Sequence, residues 1–195
     1  MREIPKTTLS NCRSGISAFV SRRIVIAYWL IPAEPAGSFF RGVINDLARR
    51  YDGPLFEPHV TIHVGANRAD AAERALSEAA RLCRRVKLKA LGIGHSSEFI
   101  RTLFVQFGLN SELRQLNEII RSVARDSSHY ELKPHLSLLY KKMQAAARRE
   151  LADSIRVPFS EVTFDAHRAI RCISPTRGRG DVDAWRAITT KKFSG

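Results

Sequence analysis

The spacing of apolar residues predicts an alternation of strands and helices. The run IVIAYWLI at 24–31 is apolar throughout and rich in β-branched and aromatic residues, which is typical of a central strand. Apolar residues at helical spacing follow in 38–51, then a strand-like segment at 59–64, a second helical pattern in 67–83 and an alternating segment at 86–94. The first half of the chain therefore predicts the order β-α-β-α-β.

The second half repeats this order. A strand-like segment at 102–107 precedes an amphipathic helix at 111–123, and a strand at 135–140 precedes an Ala-rich helix at 142–154. A long strand-like segment at 162–173 follows. We therefore predict an α+β protein built from a duplicated β-α-β-α-β unit.

The duplication divides the chain into an arm and two lobes. Residues 1–23 are basic and precede the repeat, so we expect a flexible arm, although their composition also resembles a targeting segment. Residues 24–190 are expected to form one two-lobed domain, with lobe 1 at about 24–93 and lobe 2 at about 94–190. Antiparallel sheets from the two lobes would line a central cleft.

Each predicted lobe contains one copy of a six-residue phrase. EPHVTI stands at 57–62 and KPHLSL at 133–138. Alternate side chains on a strand share a face, so His59 and Thr61 point the same way, as do His135 and Ser137. Two such faces related by duplication can meet across the cleft.

Two facing imidazoles can act as a general acid and a general base near neutral pH. Neighbouring hydroxyl groups can donate hydrogen bonds to the oxygens of a phosphate diester. A single His-x-Thr phrase is most often structural, but duplication has little structural reason to preserve both the imidazole and the hydroxyl. The pair therefore predicts phosphodiester chemistry that needs no metal ion and no other cofactor.

A metal site is the alternative interpretation of the first copy. His63 is expected on the same strand face as His59 and Thr61, and two histidines invite a metal ion. The segment has no carboxylate and no third ligand, so a metal site is disfavoured and His63 is expected beside the site or at the surface. His95, His129 and His167, which lie in no motif, are expected at the surface or in loops.

The two phrases and their flanks resemble the two-histidine phosphoesterase superfamily, which is defined by paired His-x-Thr/Ser motifs. YWLIP at 28–32, GPLFEPHVTIHVG at 53–65 and KPHLSLLY at 133–140 are most similar to the cyclic phosphodiesterase branch, best known from plants. The 2′,5′-RNA ligase family is a more distant match. The resemblance covers roughly 24–190.

The resemblance implies hydrolysis of a cyclic phosphate, either ADP-ribose 1″,2″-cyclic phosphate or a 2′,3′-cyclic nucleotide. His59 and His135 would be the acid–base pair, without assignment of which is the acid. The hydroxyl groups of Thr61 and Ser137 would bind phosphate oxygens. The segment 91–107 follows the family pattern only loosely, so the preference for base and ribose stays open.

Two aromatic residues complete the implied site. Tyr140 would contact the phosphate or help to close the site, and the ring of Trp29 would stack on a nucleobase. Val105 precedes His135 by the same 30 residues that separate Trp29 from His59, so it is expected to be the equivalent of Trp29 in the second lobe.

The net charge of +13 keeps two further functions open. A basic protein favours a polyanionic partner, which fits an RNA-end phosphodiesterase or a 2′,5′-RNA ligase-like enzyme. The excess lies at the chain ends, since residues 24–140 have a net charge of only +3. A non-catalytic module that binds nucleotide or RNA in the same cleft is the second alternative.

The cysteines and the length of the apolar runs predict the compartment of the protein. Cys12, Cys83 and Cys172 are widely separated and show no metal-binding spacing, which favours a reduced cytoplasmic compartment. No apolar run approaches the roughly 20 residues of a membrane span. We therefore expect a cytoplasmic monomer with no membrane partner.

Overall fold

The structure, a computed structural model, describes residues 21–128 and 130–194. Residues 1–20 of the predicted arm, with Cys12, and residues His129 and Gly195 lie outside the described residues. The strands are β1 Arg23–Pro32, β2 Val60–Ala66, β3 Val86–His95, β4 Leu103–Phe107, β5 His135–Leu139, β6 Glu161–Ser174 and β7 Arg186–Lys192. The helices are α1 Ala36–Tyr51, α2 Ala69–Leu82, α3 Ser111–Val123, α4 Ala145–Ser154 and α5 Arg179–Asp183, with a 3-10 turn at Phe99–Arg101.

The described strands form one antiparallel sheet in the order β1-β2-β5-β4-β3-β6-β7, and β1 also pairs with β6. The first six strands in this order therefore close on themselves. The seam between β2 and β5 consists of a single register pair, Val60 with Leu136. Because these residues directly follow His59 and His135, the seam places the two predicted motifs side by side. The predicted α+β class with antiparallel strands is confirmed.

Strand pairing crosses the boundary predicted near residue 93. β3 pairs with β4 and with the first residues of β6, whereas the rest of β6 pairs with β1. β6 is 14 residues long and therefore pairs with two strands of the first half, β1 and β3. The third strand of each repeat unit is thus bonded to strands of the other unit, which ties the two halves together.

The apolar run of β1 is buried on both faces. Ile26, Tyr28 and Leu30 belong to the main hydrophobic core, whereas Ala27 and Trp29 belong to a smaller cluster on the opposite face of the strand. An apolar run without alternation is what a strand buried on both faces requires. The prediction of a central strand is confirmed.

The helices cover the face of the sheet that contains the main core. α1 packs on β1 and β5, α2 on β6 and β7, α3 on β2, and α4 on β3. α3 begins after Asn110, whose side chain accepts a hydrogen bond from the Leu113 N–H. Among the helices within residues 21–128 and 130–194, none has the length and apolar composition needed to cross a membrane.

Candidate active site

Both predicted motifs contain a β-bulge at the same position. In β2, Thr61 pairs with Trp29 and His63 with Tyr28, which leaves Ile62 as the extra residue. In β5, Ser137 pairs with Phe104 and Leu139 with Leu103, which leaves Leu138 as the extra residue. Each bulge therefore falls on the third residue after the motif histidine.

The bulges change which side chains face the cleft. Strict alternation would place His63 beside Thr61, but after the bulge Val64 lines the cleft and His63 is only 1% exposed. The expectation that His63 shares the face of His59 and Thr61 is therefore wrong. In β5 the same shift buries Leu139 in the core and places Tyr140 in the cleft.

The two motif histidines are held by equivalent hydrogen bonds. Nδ1 of His59 lies 2.6 Å from the carbonyl oxygen of Glu57, and Nδ1 of His135 lies 2.7 Å from that of Lys133. A carbonyl oxygen only accepts, so each Nδ1 donates its proton and each neutral ring keeps Nε2 as an unprotonated acceptor. The proline before each histidine restricts the backbone at this point.

Burial lowers the pKa of both histidines. His59 is 6% exposed, and burial lowers its pKa to about 3; its bond to the Glu57 carbonyl opposes this, and the charges of His135 and Arg168 lower it further. His135 is half-buried, and burial lowers its pKa as well, with Arg101 lowering and Glu98 raising it. Both rings are therefore neutral in the free protein near pH 7.

An aromatic ring supports each histidine, but in different ways. Trp29 stacks on His59 with ring centres 3.6 Å apart and an interplanar angle of 11°. Phe104 meets His135 edge-on, with ring centres 5.5 Å apart. Trp29 pairs with the motif residue Thr61, and Phe104 pairs with its counterpart Ser137, so Phe104 is the equivalent of Trp29. The assignment of Val105 to this position was wrong, because the chain between the aromatic residue and the motif histidine is one residue longer in the second half. Val105 is instead buried in the core.

The burial of Trp29 bears on its predicted contact with a nucleobase. Trp29 is 4% exposed, and the edge of Trp185 lies against it with ring centres 5.2 Å apart. Little ring surface is left for a base, and the observed stacking partner is His59. Base stacking by Trp29 stays a prediction, whereas its contact with the imidazole of His59 is observed.

The two motif hydroxyls differ in their hydrogen bonds. The Thr61 hydroxyl has no protein partner among the described residues, whereas Ser137 Oγ donates to the carbonyl oxygen of Ile100 at 2.7 Å. The ring of Tyr140 stacks on Phe56 with centres 3.8 Å apart. Burial raises the pKa of Tyr140, so its phenol stays protonated.

One cleft of about 240 Å³ brings these side chains together. His59, His135, Thr61, Ser137 and Tyr140 all line it. Sequence reasoning missed further lining residues, which come from two irregular segments: Glu98, Ile100 and Arg101 near the 3-10 turn, and Tyr130, Glu131 and Lys133 before β5. These segments have no hydrophobic period, and only the loosely matching stretch 91–107 pointed toward the first of them.

An apolar recess of about 170 Å³ adjoins the cleft and shares His59, Thr61 and Tyr140 with it. Its other walls include Ala27, Cys172 and Trp185. Trp185 directly precedes β7. The combined space therefore has a polar half beside His135 and an apolar half beside Trp185.

His63 is held on the helix side of the sheet. Its Nε2 lies 3.1 Å from Asp126 Oδ2, and that oxygen also accepts from the Ala66 N–H at 3.0 Å. Asp126 Oδ1 accepts from the Ser128 N–H at 2.9 Å. These contacts anchor the start of the segment that leads to the second motif.

The other three histidines lie outside the cleft or outside the described residues. His95 is exposed, as expected. His167 was expected in a loop or at the surface, but it lies within β6, is fully buried and packs on Phe193. Its burial comes from the pairing of β6 with β7 and from the packing of Phe193, neither of which the spacing of residues in the sequence indicates. In residues 21–128 and 130–194, no group of three or more His, Cys, Asp or Glu side chains could hold a metal ion.

Comparison with solved structures identifies the fold. The apo structure of E. coli LigT superposes with a TM-score of 0.56 at 18% identity, over 90% of this chain and 100% of its own. The Thermus thermophilus protein TT0787 gives a TM-score of 0.53 at 18% identity, over 87% of this chain and 97% of its own. The closed antiparallel sheet of this chain is thus the fold that these two proteins share.

Sequence comparison defines the family of this chain. Residues 24–193 match the family described as cyclic phosphodiesterase-like protein, and the chain belongs to that family. The cyclic phosphodiesterase of Arabidopsis thaliana is 22% identical over 171 residues, which cover 86% of this chain and 94% of the plant protein. The chain is accordingly an enzyme with phosphodiesterase activity.

Proposed function

We propose that the protein hydrolyses a cyclic phosphate on a nucleotide or on ADP-ribose, with His59 and His135 as the acid–base pair and without a metal ion. The observation that supports this most directly is the matched orientation of the two histidines. Each Nδ1 is occupied by a backbone carbonyl, and both rings line one cleft. Each Nε2 is thereby left available for proton transfer.

The proposed step is an in-line displacement at phosphorus. One histidine accepts a proton from water as the water oxygen bonds to phosphorus, and the other donates a proton to the ribose oxygen as its bond to phosphorus breaks. The product is a phosphate monoester with a free ribose hydroxyl. Because both pKa values are lowered by burial, the anionic substrate must raise at least one of them for the acid to be charged.

The remaining predicted residues are assigned around the phosphate. Thr61 has an unengaged hydroxyl and is proposed to donate to a phosphate oxygen. Tyr140 is proposed to contact the same group through its protonated phenol, and Ser137 can do so only if it gives up its bond to Ile100. The apolar recess beside Trp185 is proposed to hold the nucleobase.

Two comparisons support a nucleotide substrate. E. coli LigT has been solved in complex with 3′-AMP and in complex with phosphate. The Arabidopsis protein is named as a cyclic phosphodiesterase. A substrate with a nucleoside and a phosphate group also fits a cleft with one apolar and one polar half.

RNA ends are the second candidate substrate, because the chain has a net charge of +13. A 2′,3′-cyclic phosphate at an RNA end presents the same ring as a cyclic mononucleotide. The two candidates differ in whether additional phosphates strengthen binding, which would make the affinity for an oligonucleotide strongly salt-dependent.

The test is turnover in EDTA of 2′,3′-cyclic AMP, ADP-ribose 1″,2″-cyclic phosphate and an RNA oligomer with a 2′,3′-cyclic end, with products resolved by chromatography. His59→Ala and His135→Ala should each lower the rate at least roughly 10²-fold. His95→Ala, at an exposed histidine outside the cleft, is the matched control and should keep the wild-type rate.

The outcomes separate the proposal from its alternatives. Turnover of the RNA oligomer alone would assign the enzyme to RNA ends. Nucleotide binding without turnover of any of the three compounds would support the binding module and refute hydrolysis of cyclic phosphates. Wild-type rates in either cleft variant would refute the two-histidine mechanism.

A further inference from the structure

Arg101 is a cation in the cleft without a carboxylate partner. It lines the cleft together with both motif histidines, and it forms no ion pair within residues 21–128 and 130–194. Its Nε is buried and has no hydrogen-bond partner among them. By contrast Lys133, the other cation that lines the cleft, lies 2.7 Å from Glu131. Since no described residue accepts a hydrogen bond from this guanidinium, the N–H groups that reach the cleft are available to a ligand.

The turn that carries Arg101 is fixed by a dense set of hydrogen bonds. Ser96 Oγ donates to the Arg101 carbonyl at 2.8 Å and accepts from the Glu98 N–H at 3.2 Å. The buried hydroxyl of Thr102 also accepts from the Lys141 N–H at 3.1 Å, which fastens the turn to the end of the second motif. The backbone of Arg101 is therefore held in place before any ligand binds.

The side chain of Arg101 is also held near the chemistry. Its guanidinium lies over the ring of Phe104, with the central carbon 4.6 Å from the ring centre. The same ring meets His135 edge-on. The positive charge of Arg101 is near enough to lower the pKa of His135. A guanidinium in this position can donate two parallel hydrogen bonds to a phosphate group.

Ser137 is hydrogen-bonded to the same turn. Its only hydroxyl proton is donated to Ile100, the residue before Arg101, so in this conformation Ser137 offers a ligand no donor. The equivalent hydroxyl of Thr61 has no such partner among the described residues. The two motif hydroxyls therefore differ: that of Thr61 is unengaged, whereas that of Ser137 is bonded to the turn.

We propose that Arg101 binds the phosphate group of the substrate as a bidentate donor on the side of His135, and that Ser137 is a positioning residue that holds the turn carrying Arg101. The inference rests on the proposed function, because it names a further binding residue of the same cleft. In this arrangement the charged guanidinium of Arg101, and not the neutral hydroxyl of Ser137, donates to the phosphate on the side of His135. On the side of His59 the donor is the neutral hydroxyl of Thr61.

The experiment compares Arg101→Met, Arg101→Lys, Ser137→Ala and the double variant Arg101→Met/Ser137→Ala with wild type. The readouts are kcat/KM for 2′,3′-cyclic AMP and the Kd of inorganic phosphate by calorimetry. Arg101→Met should lower kcat/KM and weaken phosphate binding by roughly 10- to 100-fold. Arg101→Lys should recover part of both, because it restores the charge without the fork. Arg114→Met, on the exposed face of α3, is the control and should leave both unchanged.

The double variant tests the role of Ser137. If Ser137 acts by holding the turn, its removal should have little further effect once Arg101 is gone, about threefold or less. Ser137→Thr keeps the hydroxyl and has the same residue as the first motif, so its kcat and KM should equal those of wild type, unlike those of Ser137→Ala. Effects of the two single substitutions that multiply in the double variant would overturn the positioning role.

Two outcomes would overturn the assignment of Arg101. One is an Arg101→Met protein with kcat/KM and phosphate affinity within threefold of wild type. The other is wild-type protein that binds no phosphate. If wild type hydrolyses none of the substrates, the proposed function fails by itself, and phosphate affinity still decides: weaker binding in Arg101→Met supports the subsite, and equal binding refutes it.

Discussion

Removal of the Asp126 carboxylate should destabilise the protein by about 3–5 kcal/mol, the range for breaking a buried, hydrogen-bonded charge. Its side chain accepts from His63 and from the N–H groups of Ala66 and Ser128. A hydrogen bond to a charged acceptor contributes roughly 1.5–3 kcal/mol, but the three share one desolvation cost, which keeps the total below their sum. Asp126→Ala would leave these donors without their acceptor. Asp126→Asn keeps one acceptor oxygen and should cost less, about 1–3 kcal/mol.

The assay is urea unfolding at pH 7, followed by fluorescence and circular dichroism to verify a single transition. At a typical m-value of about 2 kcal/mol/M, Asp126→Ala should move the midpoint down by roughly 2 M. Asp153→Ala, at an exposed carboxylate on α4, is the matched control and should change the free energy of unfolding by less than about 0.5 kcal/mol. A value for Asp126→Ala within about 1 kcal/mol of wild type would refute the reasoning.

The pH dependence provides a second check on Asp126. Burial alone would raise the pKa of this carboxyl, but hydrogen bonds from Ser128, His63 and Ala66 outweigh burial and hold the pKa below its ordinary value. A carboxyl with a lowered folded-state pKa contributes stability above its unfolded pKa of about 3.9, and that stability is lost as the pH falls through the folded value. The difference in the free energy of unfolding between wild type and Asp126→Asn should therefore shrink as the pH falls below about 4.

Three further predictions concern catalysis. In the proposed mechanism the active form needs one neutral and one protonated histidine. Because burial lowers the pKa of both His59 and His135, kcat/KM for 2′,3′-cyclic AMP should peak below about pH 6.5 and fall toward higher pH, and a maximum above pH 7.5 would contradict this. Tyr140→Phe should lower kcat/KM roughly tenfold in steady-state assays, since it removes one hydrogen-bond donor, and an unchanged value would exclude the phenol from the site. Gly94→Ala would place a Cβ 2.6 Å from the Phe104 ring that supports His135, so it should lower kcat. Gly42→Ala, which has open space around it, is the control and should retain wild-type kcat. Equal kcat values in the two variants would refute the support role of that ring.

The elements that could be predicted are those whose sequence pattern has one physical solution. The apolar run of β1 admits only a strand buried on both faces. The amphipathic pattern of α3 likewise fixes one face, where Leu113, Leu116 and Ile120 are buried. The repeated phrase identified two strands and placed them in equivalent positions, and their single register pair at the seam follows that equivalence.

The parts that could not be predicted depend on register and on irregular backbone. A bulge inserts one residue without any mark in the local composition, and it decided that Tyr140 faces the cleft and His63 does not. The turn that carries Arg101 is defined by hydrogen bonds to Ser137 and to Lys141, which are distant in sequence. Periodicity reports neither kind of constraint, because both depend on which segments become neighbours.

The two halves of the site preserve backbone geometry while their side-chain environments differ. Both motifs have the same bulge and the same Nδ1 hydrogen bond, so duplication explains the matched aim of His59 and His135. Yet His59 is stacked beneath Trp29 and deeply buried, whereas His135 is half-buried and meets only a ring edge. The proposed hydrolysis requires one base and one acid, and interacting imidazoles in one cleft lose their protons in two steps that belong to the pair. Unequal burial makes the two rings inequivalent, and under the proposed function this asymmetry is what lets one ring act as the acid and the other as the base.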